Sequence, residues 1–287
     1  LATGAWRVIE PPPGDPVIEA LLAFLFGLLI GSFLNVCIHR WPRNRSVVKP
    51  RSHCVRCRKP IAWYDNVPLL SYLVLGGRCR YCAARISIRY PLVEFLTGLL
   101  FFYQVSLLGP TLAAARMCVF CAIALALIFC DLEKRILPDE FTLGGVVLGL
   151  VFAIFVPRTE PGFVAIVYSL ATGSEMPKWL WAPAESILGA FLPAFFLWFA
   201  GWLYEKIRQR EGLGLGDVKL VAMVGSFLGV FGALQTLVLG SIAGSVIGYS
   251  YIKLTGKDPS SYELPFGTFL GAAALLVAIF ANQLLAM

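Results

Sequence analysis

Two aspartates and four cysteines are the residues of this chain whose setting points to chemistry. Asp131 directly follows an apolar run, in Phe129-Cys130-Asp131-Leu132-Glu133-Lys134-Arg135-Ile136-Leu137-Pro138-Asp139. Asp217 stands between the Gly-rich stretch Gly212-Leu213-Gly214-Leu215-Gly216 and a second apolar run. A carboxylate at mid-bilayer costs roughly 2.5–3.5 kcal/mol on insertion scales, so one placed near a membrane span needs a partner, water or a purpose. If the two approach closely enough to share one proton, the ionised member activates water while the protonated member polarises a peptide carbonyl. That is aspartyl proteolysis. Each residue also has a plainer reading, Asp131 as an interfacial turn residue and Asp217 as a helix N-cap accepting free amide hydrogens. Gly214 and Gly216 lack side chains and permit unusual backbone angles, which allows an extended substrate to come close.

The cysteines form two Cys-x-x-Cys knuckles, Cys54-Val-Arg-Cys57 and Cys79-Arg-Tyr-Cys82, separated by twenty-one residues. Four thiolates in this pattern suit tetrahedral Zn²⁺ best, with a redox pair and an iron–sulfur site as competitors. A zinc with four sulfur ligands has no open position for water, so the expected role is structural. His39 and His53 read as ordinary surface or interface residues rather than ligands.

The elements that must position these groups are membrane helices. The chain has 287 residues, of which 58% are hydrophobic and only 14% charged, and its mean hydropathy is +0.76. Such a composition excludes a water-soluble domain. About 20 apolar residues span a bilayer, and the suitable runs are Val17–Ile38, Pro91–Leu108, Leu112–Cys130, Glu140–Val156, Ala184–Tyr204, Val218–Phe231, Ala233–Ile252 and Phe266–Met287. The expectation is an all-α polytopic membrane protein of about eight spans, with a tight turn near Gly229–Gly232. Residues 1–16 form an external tail, 17–38 the first span, 39–90 a cytoplasmic zinc-binding domain, and 91–287 a membrane-embedded domain of about seven helices. The short apolar piece Phe163–Leu170 falls in an external loop over 157–183. Glu94 reads as a helix–helix polar contact and Glu185 as an outer-interface residue. Gly27 and Gly31 permit close helix packing.

Charge placement sets the orientation. With the N-terminus outside, segments 39–90, 131–139, 205–219 and 253–265 carry twenty of the twenty-four Lys and Arg residues, leaving Arg7, Arg116, Arg158 and Lys178 outside. The asymmetry follows the positive-inside tendency and puts Asp131 and Asp217 on one face, the cytoplasmic one. The net charge of +7 therefore reflects topology and contact with membrane lipid, not nucleic acid.

The ordered set of motifs resembles the type IV prepilin peptidase family. It comprises Gly31-Ser-Phe-Leu-Asn-Val-Cys-Ile-His-Arg40, both knuckles, Asn66-Val-Pro68, Arg89-Tyr-Pro-Leu-Val-Glu94, Asp131 with Leu137-Pro-Asp139, and Gly214-Leu-Gly-Asp217. The resemblance runs from about residue 17 to the C-terminus. It implies cleavage of the basic leader of type IV prepilins or type II secretion pseudopilins, after a Gly, at the cytoplasmic face of the bacterial inner membrane. Asp131 and Asp217 match the catalytic aspartates, and Asp139 is the weaker candidate. The resemblance also implies N-methylation of the new N-terminus with S-adenosylmethionine, for which no residues are assigned. The alternative of a different class is a transporter or membrane scaffold whose paired carboxylates bind cations or support helix packing.

Overall fold

The computed structural model describes residues 15–158, 161–209, 213–255 and 265–286. Most of the expected external tail, Gly212, and residues 256–264 of the last inner segment lie outside the described residues. Among those described there is no β-strand. The helices are α1 (Pro16–Arg40), α2 (Leu70–Val74), α3 (Arg89–Leu108), α4 (Leu112–Lys134), α5 (Asp139–Phe155), α6 (Phe163–Thr172), α7 (Lys178–Arg208), α8 (Leu215–Thr255) and α9 (Phe266–Ala286). α6 coincides with the short apolar piece expected in the loop.

Local sequence explains the ends of α1. Asp15 precedes Pro16, and its side chain accepts the Val17 amide at 2.9 Å, an N-cap contributing about 1 kcal/mol. Gly27 and Gly31 then let α1 lie directly on α3. A Cβ on Gly27 would come within 2.8 Å of the Gly98 Cα, and one on Gly31 within 2.6 Å of the Glu94 Cα.

α4 is the central helix. Phe120, Cys121, Ala126, Leu127 and Cys130 on it are fully buried, with Cys37 of α1 alongside. These cysteines are core fillers, and all eight in the chain are free. Apolar side chains such as Leu25, Phe26 and Leu29 of α1 and Phe191 and Phe196 of α7 face outward, as lipid contact requires.

α8 is interrupted at Gly229, whose φ of 77° and ψ of −173° favour glycine. The contacts of its halves show that the chain reverses there. Gly216 adjoins Leu137, Gly267 adjoins both Leu137 and Asp131, and Gly244 adjoins Phe266 and Phe269. Residues 216 and 244 therefore lie at the same end of the bundle, with Gly229 at the other.

Five described segments are long and apolar enough to cross a membrane: Pro16–Arg43, Arg89–Leu108, Leu112–Lys134, Lys178–Arg208 and Leu215–Tyr251. The expected count was eight. The difference lies in α8, where one segment contains two halves, and in α5, whose 17 residues reach only about 25 Å. α9 also counts as short, its apolar stretch being Phe266–Phe280.

Candidate active site

Asp131 occupies the last turn of α4, which runs on to Lys134. It is 5% exposed, so it is not the interfacial turn residue that the end of the apolar run at Cys130 suggested. Its Oδ2 accepts the Thr268 amide at 2.6 Å and the Thr268 hydroxyl at 2.8 Å. The reason is local. α9 starts at Phe266, the first amides of a helix have no intrahelical acceptor, and a carboxylate is the natural group to meet them. Gly267 makes the approach possible, since a Cβ there would sit 3.2 Å from the Asp131 carboxyl carbon and 3.0 Å from Leu137 Cδ1.

Asp217 is the third residue of α8 and half-buried. It is thus inside the helix, not its N-cap; the position before Leu215 belongs to Gly214. Asp217 and Asp131 border the same side chain: Leu137 meets Gly216, next to Asp217, and Gly267, which meets Asp131. Neither Gly214 nor Gly216 adopts positive φ, so their contribution is the missing side chain and not an unusual backbone angle. A Cβ on Gly214 would lie 3.7 Å from Asp217 Oδ2, and one on Gly216 would lie 3.3 Å from Leu137 Cβ. Leu137 is the apolar wedge between the starts of α8 and α9.

Neighbouring ion pairs fix the same end of the bundle. Lys219 Nζ reaches Asp139 Oδ1 at 2.7 Å, joining the starts of α8 and α5. The Arg89 guanidinium reaches Glu133 Oε1 at 2.6 Å, tying the start of α3 to the turn that carries Asp131. Thr268, Gly267 and Glu133 were not anticipated as site residues. The signal for the first two was topological: Pro265-Phe266-Gly267-Thr268 opens a helix on the inner face that already held both aspartates.

Two other acidic residues bond backbone amides. Glu94 Oε2 accepts the Leu69 amide at 2.9 Å and its carboxyl also meets Ser32 of α1, so it joins a loop as well as two helices. Glu185 is 1% exposed, packed inside the protein at the end opposite the aspartates beside Gly229. Its two oxygens accept the Val164 amide at 3.0 Å and the Val230 amide at 3.2 Å, the free amides that begin α6 and the second half of α8.

The cysteine segment lies at the aspartate end, held there by Trp41 against Phe141 at 4.4 Å between ring centres. Its two knuckles repeat one geometry. The Cys54 amide donates to Lys59 O at 3.0 Å and the Cys79 amide to Ala84 O at 2.9 Å, while Arg58 and Ala83 take φ of 58° and 52°. All four Sγ atoms lie within 4.8 Å of one another, and Cys54 Sγ to Cys82 Sγ is 3.8 Å. Tetrahedral bonds of roughly 2.3 Å give a sulfur–sulfur edge of about 3.8 Å, so the donors fit a metal ion. The protonation pattern also fits. Backbone hydrogen bonds at Cys57 and Arg56 and neighbouring thiols bring Cys54 down to about 6. For Cys82 the Ala84 amide acts downward, but desolvation and the other three sulfurs push the thiol up to about 11. A cation at the centre relieves that crowding. Neither His39 nor His53 belongs to the cluster, and the His53 ring meets Arg51 O at 3.0 Å.

Residues 25–107 match the family model for the bacterial peptidase A24 N-terminal domain, and residues 118–249 match that of the type IV leader peptidase family. A prepilin leader peptidase/N-methyltransferase of Myxococcus xanthus is 40% identical over 238 residues, 83% of this chain and 64% of the relative. Proteins of the same name from Aeromonas salmonicida and Pseudomonas aeruginosa are 33% and 32% identical, covering 96% and 94% of this chain and 96% and 93% of their own lengths. No solved structure matches.

Proposed function

Because this chain belongs to the type IV leader peptidase family, we propose that it cleaves the leader of prepilins or pseudopilins with Asp131 and Asp217 as the catalytic pair, and methylates the new N-terminus. The observation that supports the reading is Leu137, which meets Gly216 beside Asp217 and Gly267 beside Asp131, together with the Thr268 bonds to Asp131. One carboxylate draws a proton from water as it attacks the scissile carbonyl. The other, protonated, donates to the developing oxyanion. The same pair then returns a proton to the leaving amine. Thr268 acts as a positioning residue by fixing one oxygen of Asp131. Exposed bare backbone at Gly214 leaves room for an extended peptide beside Asp217, while the missing side chain of Gly216 is filled by Leu137.

The chain is a multi-pass inner-membrane protein in this reading, with its N-terminus outside and the aspartates at the cytoplasmic face. A prepilin's apolar helix stays in the bilayer while its basic leader remains inside.

The ion suited to the cysteine cluster is Zn²⁺, held by Cys54, Cys57, Cys79 and Cys82. With four sulfur ligands it fastens the two knuckles together and leaves no position for a reacting water. S-adenosylmethionine supplies an electrophilic methyl group to the freed α-amine. The cavity beside the inner half of α1 includes Arg40 and Arg51 and no carboxylate, so it offers partners for the donor's carboxylate but none for its sulfonium and ammonium.

Cleavage of a prepilin by the purified chain in proteoliposomes tests the pair. Asp131→Asn and Asp217→Asn should each lower the rate by about 10³-fold or more, and normal cleavage by both variants sinks the assignment. For the metal, the wild type should carry zinc that a Cys54→Ser/Cys79→Ser double variant loses. Full retention in that variant excludes the cluster as the site.

A further inference from the structure

The cavity on the outer side of α1 has its own chemistry. It measures about 360 Å³ and is bounded by Leu29 and Phe33 of α1, by Arg40 at the end of that helix, and by Arg51, Ser52 and Asn66 of the cysteine segment. Leu29 and Phe33 are 58% and 51% exposed. They continue an outward stripe through Ile18, Leu22, Leu25 and Phe26 of the same membrane-spanning helix. The cavity is therefore a notch where the cysteine segment overhangs the apolar face of α1, at the level where hydrocarbon gives way to water.

Its polar side is cationic. Arg40 is 8% exposed and donates to the carbonyls of Ser46, Val47 and Pro50 at 2.9, 3.2 and 2.7 Å. These bonds hold residues 46–50 over the notch, but neutral carbonyls do not match a guanidinium charge, and no ion pair involves Arg40 among the described residues. Arg51 adds a second charge at the rim. Between Glu19 and Asp65 the chain has no acidic residue, and Asp65 is itself held by Arg80 at 2.5 Å. A basic leader peptide is disfavoured here, and a methyl donor would find no acidic partner for its sulfonium and ammonium. An anion with an apolar tail fits both halves.

We propose that this notch is a binding site for one anionic phospholipid, its phosphate at Arg40, Arg51 and Ser52 and its acyl chains along Leu25, Leu29 and Phe33. The bound lipid fastens the cysteine segment to the membrane surface. The inference rests on α1 as a membrane span and on the charge of the notch, not on the peptidase reading.

The test is native mass spectrometry of the full chain in detergent with equal amounts of phosphatidylglycerol and phosphatidylcholine. Wild type should retain one phosphatidylglycerol in clear preference. Arg51→Glu should weaken retention on the order of tenfold and Arg51→Lys little, from the energy of a basic side chain near anionic lipid. Arg45→Glu is the control, since Arg45 is exposed in the same basic segment but does not line the notch; its loss should be within about twofold. Equal retention of the two lipids overturns the site. So does an equal loss in the Arg45 and Arg51 variants, which marks general attraction to a basic surface. Displacement of the lipid by S-adenosylmethionine also overturns it, because the cavity then belongs to the methyl donor. Prepilin cleavage measured on the same samples separates failure of this site from failure of the catalytic assignment.

Discussion

Two buried carboxylates, Glu185 and Asp131, sit at opposite ends of the helical body, and each meets the start of a helix. Glu185 spends one oxygen on the Val164 amide and the other on the Val230 amide. The Arg158 guanidinium converges with it over Gly229. Asp131 spends a single oxygen, Oδ2, on the amide and hydroxyl of Thr268. Among the described residues no donor is bonded to its other oxygen, and Gly267 beside it shares Leu137 with Gly216, next to Asp217. Burial and helix-start amides are thus common to both. In the proposed site, what separates the reactive carboxylate from a fastening is an oxygen that bonds no donor among the described residues.

The largest expected effect divides the two residues. Asp131→Asn keeps the shape and can keep the Thr268 amide bond through its carbonyl oxygen, so the loss of about 10³-fold in cleavage should come with a nearly unchanged melting temperature. Glu185→Ala strands two buried amides, each costing about 1–3 kcal/mol. It should lower stability by about 2–4 kcal/mol while the surviving folded protein cleaves at the normal rate. Thermal unfolding followed on the same samples as prepilin cleavage decides the matter. If Glu185→Ala abolished cleavage in folded protein, the distinction between fastening and reactive carboxylate would fail.

A smaller effect is expected at the support of Asp131. Thr268→Val removes the hydroxyl donor at 2.8 Å and leaves the amide donor at 2.6 Å. Loss of one hydrogen bond to a charged group, worth about 1.5–3 kcal/mol, should reduce kcat on the order of tenfold or more with little change in KM. Thr268→Ser should restore it. Equal changes in KM and kcat, or failure of the serine variant to rescue, would instead mark Thr268 as packing around Phe266 and Leu270.

How far the sequence anticipated this arrangement depends on whether a feature is local. Both knuckles, the short helix in the loop and the reversal at Gly229 follow from residues close in the chain, and each is present. The two aspartates were brought to one face by the distribution of Lys and Arg, a property of whole segments. The partners of Glu185 went unread because Val164 and Val230 are backbone amides 21 and 45 residues away, and an amide carries no sequence signature. Thr268 escaped for a related reason: its bond to Asp131 spans 137 residues and depends on Gly267 being bare at the contact. Span counting fell short at α5, where membrane thickness and helix length are close to each other.

The smallest effect is expected at Asp139, which shares the segment with Asp131 and tests whether acidity near the membrane surface is enough. Asp139 opens α5, is largely exposed, and pairs with Lys219 at 2.7 Å. An exposed pair of this kind contributes about 0–1 kcal/mol, and its carboxylate at the first turn of a helix adds a few tenths more. Asp139→Asn keeps a hydrogen-bond acceptor for Lys219 and removes only the charge. Cleavage should therefore stay within about twofold of wild type and the melting temperature within a degree or two. The same substitution eight residues earlier, at Asp131, removes a carboxylate whose second oxygen bonds no donor among the described residues. A loss at Asp139 approaching that at Asp131 would transfer the catalytic role to the start of α5, with Lys219 as its partner, and leave the Thr268 contact as a fastening like that of Glu185.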